Sequence, residues 1–533
     1  MNPQNPSSTA TPELLTPAAG APKPVHWDTI FRNIFSNWAS YLVTAIVGFL
    51  LAPMVLHRLG NTGYGIWTLV LSLTGYFGLL DLGIRSSVGR FVGRYIALNE
   101  EKNVNRTVST AFLILSAGGT IALLSTVGAV QFFFDAFHVE PQYAAAGKIA
   151  LVIAGLNMAC VLPLGIFSAI LIALERYDVL SGVTIIGELG RAALVVACLN
   201  NGFGIVGLAV VSLLITTAEY AVMSFFAKAL YPGLKLRLRF VDTGMIRSLF
   251  GFGIYRFIWI VANQLIFYSD SVVIGVFLGA GSITYFAIAV SLINYGRNVV
   301  SMVTDTFAPA AFRMDAQRDL AGLQRLLITG TRLSLLVILP LCFGLIFLGQ
   351  QFITLWMGKD YSSSALFLTI LAIAQFSSMP QYVSVAILTS MAKHRLLAYL
   401  ALAEGLANLG LSVILIRKLG LVGVAWGTVI PSIICTALII PLYTLHTLKL
   451  DLRDYLFKSF LRPLVCAAPM AGLGYVFYLR TAASWASFAA EAASLCAVFG
   501  IMSFFLCLDA GQRESAVRKL RNLRQREAAG HAA

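Results

Sequence analysis

Apolar runs of eighteen residues or more succeed one another along nearly the whole chain. Each is long enough to cross a hydrocarbon core of about 30 Å as a helix. A backbone in lipid can satisfy its own polar groups only within a helix or a closed barrel, and long continuous runs without period-two alternation are the helical solution. Fourteen spans are predicted, near residues 38–57, 64–84, 108–133, 149–173, 179–199, 204–227, 248–278, 283–308, 327–348, 364–390, 396–416, 421–445, 463–479 and 485–508. Composition agrees: 12% of the 533 residues are charged and 58% apolar, against about 25% and 45–50% in soluble domains. The fold class expected is an all-α polytopic membrane protein.

The net charge of +14 does not point to nucleic acid, because the basic residues sit in the short connections between spans, where membrane orientation demands them. With a cytoplasmic N-terminus, 29 of the 38 Lys and Arg lie on the inner side and six on the outer (Arg58, Lys148, Lys359, Arg417, Lys418, Arg480). The bias predicts that both termini are cytoplasmic. Residues 1–24, rich in Pro, Ser, Thr and Ala, read as a disordered tail. Gln512 to Glu527, with six basic residues around Val517 and Leu520, reads as an interfacial helix on the anionic inner leaflet. The seven cysteines lie in apolar stretches without CxxC or Cys/His spacing and read as buried hydrophobes, not metal ligands.

The chain also repeats itself. Leu59, Gly60, Ser72, Leu73 and Tyr76 recur 219 residues later as Leu278, Gly279, Ser291, Leu292 and Tyr295. The run beginning at Pro163 returns from Pro380, Glu188 returns as Glu404, and the stretch 204–209 returns at 420–425. A nearly constant offset over four places predicts a duplication of six spans. Six is even, so the halves run the same way through the membrane, related by an axis along its normal, with a cavity between them. The expected division is 25–230 and 231–447 for two six-helix lobes, 448–510 for two added spans, and 511–533 for the basic tail. Pro163, Pro340, Pro380, Pro431 and Pro441 fall inside helical patterns and mark bends, either flexing points or static ones.

Charges at membrane depth cost at least about 2.5–3.5 kcal/mol each and so face a cavity or a partner. Asp81 and Arg85 are four apart, and Glu188 and Arg191 three apart, so each can pair on its own helix. Arg256 and Arg297 have no acidic residue within four positions. Either they pair across helices with Asp270 or Asp305, or they hold an anion, for which arginine's planar fork suits phosphate oxygens. Tyr76 and Tyr295 lie among the aromatic residues near them and offer faces and hydroxyls to a sugar, or simple packing. No Walker sequence, HExxH or paired-carboxylate loop occurs. ATP hydrolysis, an enzymatic centre and any cofactor are therefore not expected.

Residues 33–97 contain Leu59-Gly60, then Tyr64-Gly65-Ile66-Trp67, then Leu80-Asp81-Leu82-Gly83 ahead of a basic stretch. This resembles the opening of the Wzx-type polysaccharide flippases of the multidrug/oligosaccharidyl-lipid/polysaccharide exporter superfamily, as do fourteen spans arranged six, six and two. The resemblance implies a V-shaped pair of six-helix bundles (MATE-like) that carries a polyprenyl-pyrophosphate-linked oligosaccharide from the cytoplasmic to the outer leaflet of a bacterial inner membrane by alternating access. A polysaccharide polymerase and a chain-length regulator are implied partners. The pyrophosphate would fall to Arg256 and Arg297, with Arg85 and Arg32 near the inner mouth and Tyr295 and Tyr76 beside them. Asp270, Asp305, Asp81, Glu404 and Glu188 are candidates for ion coupling or charge pairing. Two classes stay open beside this one: a drug or cation antiporter of the same superfamily, which needs dominant acidic cavity residues, and a membrane glycan polymerase or ligase, which needs a large outer loop that the short connections do not supply.

Overall fold

The computed structural model describes residues 27–137, 139–480, 484–507, 511 and 518, with the side chains of 27–31, 33–34, 132–136, 251–256 and 394 outside that description. Both predicted tails, 1–24 and 512–527, lie almost wholly outside the described residues. Among the described residues the regular structure is entirely helical. The first half comprises α1 (Trp27–Phe77), α2 (Ile84–Ala97), α3 (Glu101–Ala136), α4 (Pro141–Leu164), α5 (Ile166–Ala173), α6 (Tyr177–Asn200) and α7 (Gly204–Leu230). The second comprises α8 (Thr243–Leu278), α9 (Ala280–Thr304), α10 (Ala308–Ala316), α11 (Leu320–Trp356), α12 (Ser364–Ser378), α13 (Tyr382–Ser390), α14 (His394–Leu419), α15 (Leu421–Ser432) and α16 (Ile440–Leu448). Then come α17 (Leu452–Leu456), α18 (Arg462–Tyr478) and α19 (Trp485–Leu506). Two π-helical segments, Ile433–Ile439 and Phe457–Leu461, join α15 to α16 and α17 to α18.

Thirteen helical stretches among the described residues are long and apolar enough to cross a membrane, one fewer than the sequence predicts. The difference lies in α1, which continues through Gly60 with φ 71° and ψ 175°. Gly48 and Gly75 flank that residue, yet they lie against Tyr295 and Tyr268, which in turn flank Gly279 at the α8–α9 junction. Two glycines 27 residues apart can meet neighbouring depths of one hairpin only if α1 folds back at Gly60. The stretch Phe35–Asp81 therefore holds two crossings, and the described residues hold fourteen.

The duplication is written in the backbone. Gly60 and Gly279 share an unusual conformation (φ 71° and 82°, ψ 175° and 166°). Positive φ also recurs at Asn99 and Arg318, at Glu175 and Ala392, and at Gly204 and Gly420, the same offsets of 219, 217 and 216 as in the sequence. The α4–α5 break two residues past Pro163 is matched by a 3-10 turn holding Pro380, Met379–Gln381, between α12 and α13. Alternate connections of a bundle of crossing helices share an end, so the six connections expected on the inner side define one end, the basic face.

Burial shows where the halves join. Toward the Gly60 end one core draws on both halves, with Leu56, Leu59, Ile66 and Leu69 packed with Ile283, Phe286, Trp356 and Phe367. Toward the basic face a second core gathers around Val88, Val108, Leu115 and Ile170 of the first half and takes in Leu249 from the start of α8, and a third lies around Leu323, Leu327, Val383 and Tyr455. The added helices α18 and α19 pack on α11 through Met470, Leu495 and Phe499.

Candidate functional site

The seam between the lobes is formed by the α1 hairpin against the α8–α9 hairpin. At the Gly60 end it is tight: the Thr284 hydroxyl donates to the carbonyl of Asn61 at 2.7 Å, and Trp356 Nε1 donates to that of Phe49 at 3.0 Å. Phe49 and Trp356 also stack, with centroids 4.8 Å apart at 5°. Gly65 is required here, since a Cβ would collide with the backbone carbonyl of Ala280. Two glycines of the recognised opening motif thus have physical reasons: Gly60 turns the chain and Gly65 lets two backbones touch.

Deeper along the seam Gln264 Nε2 donates to the Gly75 carbonyl at 2.6 Å, and Tyr76 lies 6.4 Å from Tyr268, ring to ring. Arg297 sits there, half-buried, with its guanidinium carbon 3.9 Å from the centroid of Phe267 and Nη2 donating to Asn294 at 2.9 Å. Tyr41, Tyr268 and Tyr382 surround it. Among the described residues neither Asp270 nor Asp305 forms an ion pair with it. Stacking holds such a cation without using up its donors. The side chain of Arg256, on α8, lies outside the described residues.

An apolar groove of about 960 Å³ opens beside the helix segment that carries this arginine, with Tyr295, Gly296 and Val299 in its wall. Its walls are α1 (Trp38, Leu42, Phe49), α9 (Leu292, Tyr295, Val299), α11 (Leu345, Phe352) and α19 (Phe488, Leu495). Tyr41, beside Arg297, is also in its wall. Trp38, Leu42 and Leu50 are exposed, so the groove opens outward where lipid would be.

The other candidates are placed differently. Arg85 pairs with Asp81 at 3.5 Å and donates to the Val161 carbonyl at 2.8 Å, packed on Gly165 at the α4–α5 break; that places both on the structure of the first lobe, away from the seam arginine. Arg32 is exposed near Asp178. Glu188 and Glu219 flank Arg191 at 3.5 and 3.9 Å. Asp305 is exposed and opens a 3-10 turn after α9 ends at Thr304. Asp270 is buried at 6% exposure, and its carboxylate accepts from Thr428 at 2.9 Å and from Ser412 at 3.3 Å. Asn408 donates to Thr428 and accepts from Ser269. Glu404 accepts from Thr436 at 2.7 Å. Neither carboxylate has an ion pair among the described residues.

These hydroxyl and amide partners went unremarked in the sequence, yet they carry a signal. Ser412, Asn408 and Glu404 on α14, and Thr428, Ser432 and Thr436 opposite, are each spaced by four in otherwise apolar spans. That spacing stacks side chains on one helix face.

Two helical lobes meeting at a central seam define a multi-pass membrane protein of transporter architecture. A family model described as polysaccharide biosynthesis protein matches residues 30–315, more than half of the chain, and the protein belongs to that family. It is 23% identical over 501 residues to the membrane protein EpsK of Bacillus subtilis strain 168, spanning 92% of this chain and 97% of EpsK. It is 22% identical over 426 residues to a Shigella flexneri protein whose name assigns it to O-antigen transport, spanning 78% and 98%. Among solved structures it resembles the lipid II flippase MurJ in an inward closed conformation (TM-score 0.68, 15% identity, 89% of this chain and 98% of that one). It also resembles an inward-facing multidrug resistance MATE family transporter of the MOP superfamily (TM-score 0.64, 15% identity, 78% and 94%). These likenesses establish the MATE-like fold that the resemblance implies.

Proposed function

We propose that the protein flips a polyprenyl-pyrophosphate-linked oligosaccharide between leaflets by alternating access of its two lobes, with the basic face and both termini in the cytoplasm of a bacterial cell. The observation that carries this reading is an apolar groove whose wall includes Tyr41, the neighbour of Arg297. An amphiphile with a long hydrocarbon chain and an anionic head fits that pair: the chain lies in the groove, the pyrophosphate meets the guanidinium, and the sugars face the tyrosines of the seam. Family membership supports a role in polysaccharide synthesis. Arg256, on the same seam helix as Tyr268, is the second candidate for the anion.

Coupling follows from the second lobe. A buried carboxylate without a cationic partner is costly in a membrane, so Asp270 favours uptake of a proton or sodium ion between Thr428 and Ser412. The two bodies that rock are taken as 25–230 and 231–447, hinged where the shared core joins them. The test is deletion of the gene and complementation with wild type, Arg297→Gln or Arg256→Gln, followed by assays of surface polysaccharide and lipid-linked oligosaccharide. The expected result is rescue by wild type alone, with intermediate accumulating on the cytoplasmic face in the variants. An intact surface glycan with new sensitivity to cationic dyes would instead assign the protein to drug export.

A further inference from the structure

Below Asp270 the polar contacts continue toward the basic face. Asn408 and Glu404 follow Ser412 at intervals of four on α14, while Ser432 and Thr436 follow Thr428 across the seam. From Ser412 to Glu404 the file spans about 12 Å of helix. Each rung is joined: Thr428 to Asp270 and Asn408, Ser432 to Ser378 at 2.6 Å and to Glu404, Thr436 to Glu404. Thr436 lies in the π-helical segment. An α-helix overshoots a full turn by about 40° every four residues; the wider i→i+5 turn undershoots, and so returns Thr436 to the face of Thr428. Such bulges recur at functional sites.

The duplication supplies an internal comparison. Glu404 is the counterpart of Glu188 at offset 216, but Glu188 is paired with Arg191 at 3.5 Å, whereas the residue corresponding to Arg191 is Ala407. The same position is thus neutralised in one lobe and left to hydroxyls in the other. A carboxylate kept at this depth without its arginine needs a mobile cation.

We propose that Glu404, with Thr436, Ser432 and Ser378, is a second station for the coupling cation, on the basic-face side of Asp270, so that the cation moves along the α14–α15 seam between the two carboxylates. This rests on Asp270 being the coupling group. The shared chemistry is a monovalent cation, proton or sodium, held by one carboxylate and hydroxyl oxygens. Among the described residues the titratable groups facing Glu404 are Tyr382 from α13 and Cys435 from the π-helical segment, while α8 presents the Ala262 carbonyl and the Leu265 side chain to the adjacent Gly405. None of these supplies a permanent positive charge.

The test uses the purified full chain in liposomes without glycan, so it is independent of what is flipped. Dicyclohexylcarbodiimide, which modifies protonated carboxyls in apolar surroundings, is applied across a pH series and the modified peptides are mapped by mass spectrometry. Glu404 should be labelled, with labelling lost as pH rises, while Glu188 stays unlabelled. Loss of label in sodium chloride relative to potassium chloride identifies sodium as sharing the station; equal labelling in both salts identifies the proton alone. Equal labelling of Glu188 and Glu404, or none at Glu404, overturns the proposal. In a flipping assay the acceleration of transport by an ion gradient should be lost in Glu404→Gln. Acceleration equal to wild type would also overturn it, whereas absence of glycan flipping by the wild type would sink only the proposed function.

Discussion

Arg297 combines a fixed charge with a face already occupied by Phe267. Lysine would keep the charge but lose the stacking and the planar fork, which together are worth about 1–2 kcal/mol. Arg297→Lys is therefore expected to lower substrate affinity roughly tenfold, and Arg297→Gln to abolish transport, both read by binding of lipid-linked oligosaccharide to the purified protein. Asp270 calls for the opposite logic. Asp270→Asn keeps the shape and an acceptor for Thr428 while removing a buried charge, so it should raise the melting temperature in detergent as it removes ion dependence. Thr428→Val, which strips a donor from the carboxylate, should instead cost about 1–3 kcal/mol and lower the melting temperature. At this scale the sequence makes the charges visible and hides their company. Asp81 with Arg85 and Glu188 with Arg191 are local spacings that can be read from the chain, whereas Glu219 joins Arg191 from another helix, and the Phe267 ring reaches Arg297 from α8. Contacts between helices depend on rotation about their axes, which apolar spans leave unspecified when lipid surrounds them on several sides.

Glycine decides what the helices can do at the seam. Because a side chain at Gly65 would strike the Ala280 carbonyl, Gly65→Leu is expected to wedge the Gly60 end apart while the cores toward the basic face stay packed. Surface polysaccharide should be lost with normal amounts of protein in the membrane, measured by glycan staining beside an immunoblot; a parallel fall in protein would point to misfolding instead. The repeat of six spans was legible because glycine, proline and tyrosine recur at fixed offsets, and the backbone carries that repeat to positions where the residues differ, Asn99 with Arg318 and Glu175 with Ala392. Their left-handed conformation could not be read from residue type, since of the four only Asn99 is of a kind that favours it, while Arg318, Glu175 and Ala392 rarely adopt it. The π-helical segments were equally hidden. Inserting one residue per turn leaves an apolar run apolar, and only the realigned hydroxyls of Thr428 and Thr436 betray it.

For the whole molecule the question is which way charge moves. In the proposed cycle a pyrophosphate of about two negative charges bound to Arg297 would make the loaded seam net negative, while the empty seam would keep the arginine's positive charge. In a cell with a negative interior the loaded form is drawn outward and the empty form inward, so both half-cycles run downhill, each unit charge being worth about 2.3 kcal/mol per 100 mV. Imposing an interior-negative potassium diffusion potential on proteoliposomes should therefore accelerate flipping, with a ceiling of roughly 50-fold per charge at 100 mV. Collapsing it with valinomycin at equal potassium should remove that gain. Asp270→Asn takes one titratable carboxylate out of the cycle, so its rate should respond to potential and no longer to a proton or sodium gradient of equal size. A wild-type rate that is indifferent to potential while a proton gradient is held would show that the arginine travels fully neutralised in both directions, and the drive would then rest on the cation held by the second lobe alone.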